Sequence, residues 1–273
     1  MRQIRSTVLF FALLLALGFL YVLVPELQSP AVAEAASPTF DHSHKALTSI
    51  LHQHVVMTET SSSVMYKRLK LKKSELEQYL KTLGAVTPGE YEKWTKNEQM
   101  AFLINAYNGF TLKLIVDHYP VKSIKDIGSW FSKPWKKNFF ELLGEKRNLD
   151  WIEHTTLREK FKEPRIHFAV NCASIGCPRL LNEAFVATEL DEQLDRQATA
   201  FLRDTSRNAA HDNDKTLQLS KIFDWFEGDF TRGGRTVAQF VAPYMTDDKT
   251  RQGQLAQFSV KFLSYDWSLN DVQ

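Results

Sequence analysis

The sequence predicts an α+β protein: a mostly helical single domain around a small β-sheet, preceded by an N-terminal signal or anchor segment. Three observations carry this. Apolar residues recur at helical spacing in several long segments, whereas strand-like runs are few and short. Hydrophobic residues make up 44% of the 273 positions and aromatics 12%, as in chains that build a packed core. A charge-free apolar run, Val8 to Val24, follows Arg2 and Arg5 near the start. The domain reading is 1–35 as signal peptide or membrane anchor and 36–273 as one globular domain.

The leader has a basic start, an apolar centre and two small-x-small sites, Ala31-Val32-Ala33 and Ala33-Glu34-Ala35. Its apolar run is long for a signal peptide and slightly short for a spanning helix. Both outcomes place the rest of the chain outside the cytosol. The protein is expected to be exported, periplasmic or secreted, with anchoring to the inner membrane through Val8–Val24 if the signal is uncut. The net charge of +2 makes no general case for nucleic acid. Lys67 to Lys73 holds a basic cluster that reads as the solvated start of a helix.

Pro30 to Phe40 is a linker rich in Ala, Ser and Pro. His42, His44, His52 and His54 read as exposed imidazoles, because each i, i+2 pair points apart on a helix. Val64 to Leu83 carries helical spacing through Leu69, Leu76, Tyr79, Leu80 and Leu83, and Gly84 ends it. Thr95-x-x-Glu98 is a capping box for a helix from Lys96 to about His118 that is apolar nearly all round and therefore buried. Asn105 and Asn108 share a face inside it. Buried amides need partners, so they either lock loop backbone or orient a catalytic group. Trp130, Phe131, Pro134, Trp135, Phe139 and Phe140 form an aromatic loop read as a lid over the core. Leu143 to Lys146 is a turn, and Asp150 starts a helix to Phe161 on which His154 and Arg158 are i, i+4. Ile166 to Val170 reads as the central strand. Asp191 to Asp204 is an amphipathic helix, Thr216 to Leu219 a strand, and helices follow at Ser220–Phe226 and Thr236–Met245.

The two cysteines of the chain, Cys172 and Cys177, lie in a small-residue loop after that strand. They can form a disulfide, since export permits oxidation. They can serve a zinc site, although no second cysteine pair exists and His154 or His167 would have to complete it. They can supply a thiol nucleophile, which needs an imidazole and a group to orient it. Candidates for each part are present: His154 and His167 as base, Asn105, Asn108, Asn171 and Glu153 as orienters, Arg158, Arg165 and Arg179 as positive charge.

The motifs together resemble a known family. Ala101-Phe102-Leu103-Ile104-Asn105-Ala106-Tyr107-Asn108 is similar to its AF-x-iN-x-YN segment. Leu149 to His154, with Leu157-Arg158, is similar to L-x-x-IEH-x-x-LR. Arg165-Ile166-His167-Phe168-Ala169 through Asn171-Cys172-Ala173-Ser174 and Cys177-Pro178 resembles its centre, and Tyr265-Asp266-Trp267-Ser268-Leu269-Asn270 its closing YDWSLN. The family is domain of unknown function family 547, and the resemblance runs from about Asp41 to Asn270. It includes exported bacterial members and plant members with a leucine-zipper region; no long heptad stretch is present here, so the zipper does not carry over. If intracellular relatives share the Cys-Ala-Ser … Cys-Pro centre, the resemblance implies more than a structural disulfide. It also implies that Asn105, Tyr107, Asn108, Glu153, His154, Arg158, Arg165, His167, Asn171, Cys172, Ser174 and Cys177 converge on one pocket.

The expectation is then a thiol-dependent hydrolase or acyltransferase acting on an amide or ester. Cys172 is the nucleophile, with Cys177 second, His154 or His167 is the base, and Asn105, Asn108 or Glu153 orients it. Asn171 or the N–H groups of Ala173 and Ser174 hold the oxyanion. Tyr107, Asn108, Arg158, Arg165, Asn171, Ser174 and Cys177 line the substrate site. No cofactor or metal is expected, and the partner is a small-molecule or peptide substrate. The alternative is a non-catalytic binding or envelope module closed by a Cys172–Cys177 disulfide.

Overall fold

The computed structural model describes residues 39–128 and 133–272. The leader, its cleavage sites, and Trp130 and Phe131 of the aromatic loop lie outside the described residues. Among the described residues, no helix is long and apolar enough to cross a membrane.

Helix α1 (Lys45–His54) leads into the hairpin β1 (Val55–Met57) and β2 (Ser62–Val64), followed by α2 (Tyr66–Leu71) and α3 (Lys73–Gly84). The single helix expected over Val64–Leu83 is thus divided. Its start pairs as strand with β1, and the chain leaves helical geometry at Lys72 while keeping Leu69, Leu76, Tyr79, Leu80 and Leu83 buried. The short helix α4 (Pro88–Tyr91) precedes α5 (Lys96–His118), the axis of the domain. Thr95 and Glu98 form the expected capping box, and α5 is buried from Met100 to Val116 save for Lys113. It packs against α3 and against the helix carrying His154.

The hairpin β3 (Phe140–Leu142) and β4 (Glu145–Arg147) turns at Leu143 and Gly144, both with positive φ, the geometry of a tight two-residue turn. Helix α6 (Leu190–Leu202) comes later, followed by the antiparallel pair β5 (Ala209–His211) and β6 (Thr216–Leu219). Short helices α7 (Ile222–Trp225) and α8 (Glu227–Phe230) precede α9 (Val237–Met245) and α10 (Lys249–Leu255), and β7 (Ser259–Phe262) then adds parallel to β6. The fold is α+β, with three small sheets among the described residues instead of one.

Two segments near the cysteines depart from expectation. Ile166–Val170 is no strand. Pro164–Phe168 is a 3-10 helix, with Pro164 in its first turn and the Glu163 side chain accepting from the Arg165 N–H. Its backbone bonds close locally, Ala169 and Val170 both donating to the Ile166 carbonyl, so none remain for a ladder. Trp151–Phe161 is helical as expected but wound as a π-helix of 11 residues, ending at Lys162 in the left-handed region. Such winding is rare and concentrates at functional sites.

The 3-10 helix lies between two apolar cores. Ile166 and Ala169 belong to the larger one around α5, and Phe168 to a second one built by α6 to α10 and the three-stranded sheet. His167 stacks on Phe226 and lies beside Phe230, at the margin of the second core.

Candidate active site: a sulfur, imidazole and carboxylate cleft

A cavity of about 850 Å³ opens where the π-helix, the 3-10 helix, the cysteine loop and the C-terminal segment meet. Tyr107, Glu153, His154, His167, Cys172 and Cys177 all line it, so three separated stretches of sequence do converge. Trp135, Trp225, Phe226, Tyr265 and Trp267 add an aromatic wall.

The cysteine loop is held from several sides. The Asn171 side chain accepts from the Ala173 N–H at 2.8 Å and donates to the Pro178 carbonyl at 2.7 Å, and Ala173 sits at φ 61°. A left-handed non-glycine residue costs roughly 1–2 kcal/mol and is retained where surroundings demand it. At Gly176 an added Cβ would stand 2.9 Å from both the Asp266 carbonyl and the Tyr265 ring, so glycine is what lets the C-terminal segment lie against the loop. Arg207 donates to the carbonyls of Ile175, Cys177 and Thr60 while paired with Asp204.

Cys172 and Cys177 are joined as a disulfide. The Cys177 sulfur is buried and accepts from the Cys172 N–H (2.9 Å), the Tyr265 hydroxyl (3.2 Å) and the Ser174 hydroxyl (3.4 Å). The Cys172 sulfur is half-buried, 3.2 Å from the Tyr265 oxygen and 3.3 Å from that of Ser174.

His167 is 3% exposed, stacked on Phe226 at 4.0 Å, with Nε2 2.8 Å from the Asp229 carboxylate. Burial pushes this imidazole below its ordinary pKa, against the opposing pull of Asp229. Burial alone would raise Asp229, but bonds from His167 and Arg158 more than offset it and hold the carboxyl well below the usual range. An ionised carboxylate can only accept, so Nε2 carries the hydrogen and Nδ1 keeps its lone pair. Nδ1 is buried with no partner among the described residues.

His154 differs. Its Nδ1 faces Arg158 at 2.9 Å, and since guanidinium only donates, that lone pair is occupied. Its Nε2 is 3.8 Å from Asp150. Arg158 also donates to Asp229 at 2.5 Å, so the two histidines are linked through its guanidinium and the Asp229 carboxylate. Glu153 lies beside the Tyr107 hydroxyl, and burial followed by that carboxylate raises the phenol well above its ordinary pKa. Burial likewise raises Tyr265.

Other expected site residues are placed elsewhere. Asn105 uses both amide atoms on the Phe185 backbone, and Asn108 bridges the Ala169 carbonyl and the Asn171 N–H. Both lock loops to α5 instead of orienting an imidazole, because a buried amide is satisfied by the nearest backbone. Arg165 points to Glu163, Asp191 and Asp195, tying the 3-10 helix to α6. The Asn171 amide and Ala173 N–H are already bonded and are not spare oxyanion donors. Ser174 contacts the sulfurs. The residue that fixes His167 is Asp229, in a four-residue helix with no sequence signal; Tyr265 stood in the closing YDWSLN motif but was not singled out.

His44 and His54 are buried, not exposed. The His44 Nδ1 lies 2.8 Å from the Tyr79 hydroxyl because Phe40, Trp94 and Phe102 pack around this corner. Among the described residues, no group of three or more His, Cys, Asp or Glu is placed to hold a metal ion.

The chain is therefore an α+β protein with a cavity that sets a cysteine pair, an aspartate-bound histidine and two phenols around one space. Residues 91–202 match the sequence model of the family described as Protein of unknown function, DUF547. The match takes in the asparagine helix, the Glu153-His154 segment and the cysteine loop; the closing YDWSLN segment lies beyond it. No curated protein and no solved structure matches the chain.

Proposed function

We propose that the cleft is the active site of a thiol-dependent hydrolase or acyltransferase acting on an amide or ester, with Cys172 as nucleophile once the Cys172–Cys177 bond is opened by an external dithiol. The observation that carries this is the unpartnered Nδ1 of His167, fixed through Nε2 to Asp229, in the same cavity as both sulfurs. His167 is preferred to His154 because the His154 Nδ1 is occupied by Arg158. In the reaction His167 takes the Cys172 proton, and the thiolate attacks the carbonyl carbon, forming a C–S bond. The leaving group departs with the proton from His167, and water or an acceptor then cleaves the thioester. The Tyr265 hydroxyl is the nearest donor for the oxyanion. Export fits the same reading, since an oxidising compartment keeps the pair closed until a dithiol reaches it.

The closed sulfur pair favours a second reading, a non-catalytic binding or envelope module in which it only braces the loop. The test is p-nitrophenyl acetate turnover, with mass spectrometry of trapped protein. Under the first reading, reduced protein carries an acetyl group on Cys172, unreduced protein does not, and Cys172→Ala abolishes it. A reduced, folded protein with no Cys172 adduct leaves the module reading.

A further inference from the structure

At its open end the cleft is cationic as well as aromatic. Lys125, Lys133 and Lys136 line it, all three exposed. The Lys125 ammonium stands 3.7 Å over the Trp267 ring, whose centroid is 4.6 Å from that of Tyr265, the residue touching both sulfurs. Lys133 is close enough to disfavour the charged form of Lys125, behind burial. Two like charges left side by side are relieved by an anion between them. The other charged lining residues are Asp150 and Glu153, which lie on and beside the π-helix near His154. Three ammonium groups against two carboxylates leave one net positive charge, so the cavity complements a monoanion. Among the described residues, the lining contains no arginine and no glycine, the residue types whose forks and nests hold a phosphate dianion.

We propose that the cleft takes an acyl compound bearing one free carboxylate, which lodges among Lys125, Lys133 and Lys136 while its apolar part lies on Trp135, Trp225 and Trp267. The carboxylate and the reacting carbonyl are separated by the span of the Trp267 and Tyr265 rings, which suits a dipeptide-sized chain. This deepens the active-site reading by naming its substrate class, but it rests on the rim and not on the thiol.

The experiment is a titration of the full-length protein with N-acetylglycyl-phenylalanine and with its carboxamide, followed by tryptophan fluorescence and calorimetry. The acid is expected to bind roughly tenfold more tightly than the amide, the worth of one half-exposed charge pair, with the advantage falling as salt is raised. Replacing all three lysines by alanine removes the advantage. These side chains are exposed, so the fold is retained, and circular dichroism checks this. The single substitution Lys133→Glu reverses the preference. Equal binding of acid and amide, no saturable signal from the acid, or an unchanged preference in the triple variant overturns the proposal. Cys172→Ala is expected to keep the acid preference. In the reduced protein that keeps Cys172, no adduct on Cys172 with the acid preference intact defeats the nucleophile alone, and an adduct without the acid preference defeats the carboxylate pocket alone.

Discussion

At the residue scale, Asp229 does more than any side chain that the sequence singled out. It accepts from His167 and from the guanidinium groups of Arg158 and Arg232. Asp229→Asn keeps the shape but leaves two arginines without a countercharge, and breaking a buried pair this way costs roughly 3 kcal/mol. Urea denaturation should show that loss as a lower midpoint. In the reduced variant, iodoacetamide should alkylate Cys172 more slowly near neutral pH, because the His167 tautomer is no longer fixed. His44 gives a separate pH signature. Burial, followed by the neighbouring His42, lowers its pKa from 6.5 to about 4. Between those values the unfolded chain binds a proton that the folded chain refuses, so stability rises with pH there. Full stability holds above pH 6.5, and about 3 kcal/mol is lost by pH 4. Denaturation midpoints from pH 7 to 4 should fall in the parent protein and flatten in His44→Gln.

At the element scale, helices were legible where periodicity and caps agree, and illegible where backbone winding changed. Lys96–His118 was readable because its capping box and all-round apolarity fix both start and burial. The 3-10 helix reads as strand in the sequence because Ile, Phe and Val suit either state, and Pro164 in its first turn is the local signal against a strand. The π-helix was invisible as such, since its composition is that of any helix. Yet its winding keeps the i, i+4 pair His154 and Arg158 bonded while Glu153 stays in the same cleft. The buried asparagines were rightly expected to need partners, and those partners are backbone groups whose positions only the folded chain defines.

At the scale of the whole molecule, the cysteine bond spans a five-residue separation and closes a very small loop. Chain entropy assigns such a loop about 2 kcal/mol. The two apolar cores form without it, so reduction should lower the unfolding free energy from urea titration by about that much and leave the far-ultraviolet dichroism unchanged. A collapse on reduction would mean that the bond organises the fold. Convergence of distant segments is what the family resemblance implies, and six of the twelve residues it names line the cavity, but the closing wall is not legible in this way, because Asp229 and Tyr265 lie far downstream of the cysteines. That distance bears on how the protein can be dissected. A fragment cut to 91–202 would carry both sulfurs and both histidines, yet it would lose the aspartate, the second phenol and most of the residues that cover Phe168. Such a piece would hold the reactive atoms in a half-built trough with a large aromatic surface bare to water, so the family segment is not a unit that can be studied on its own.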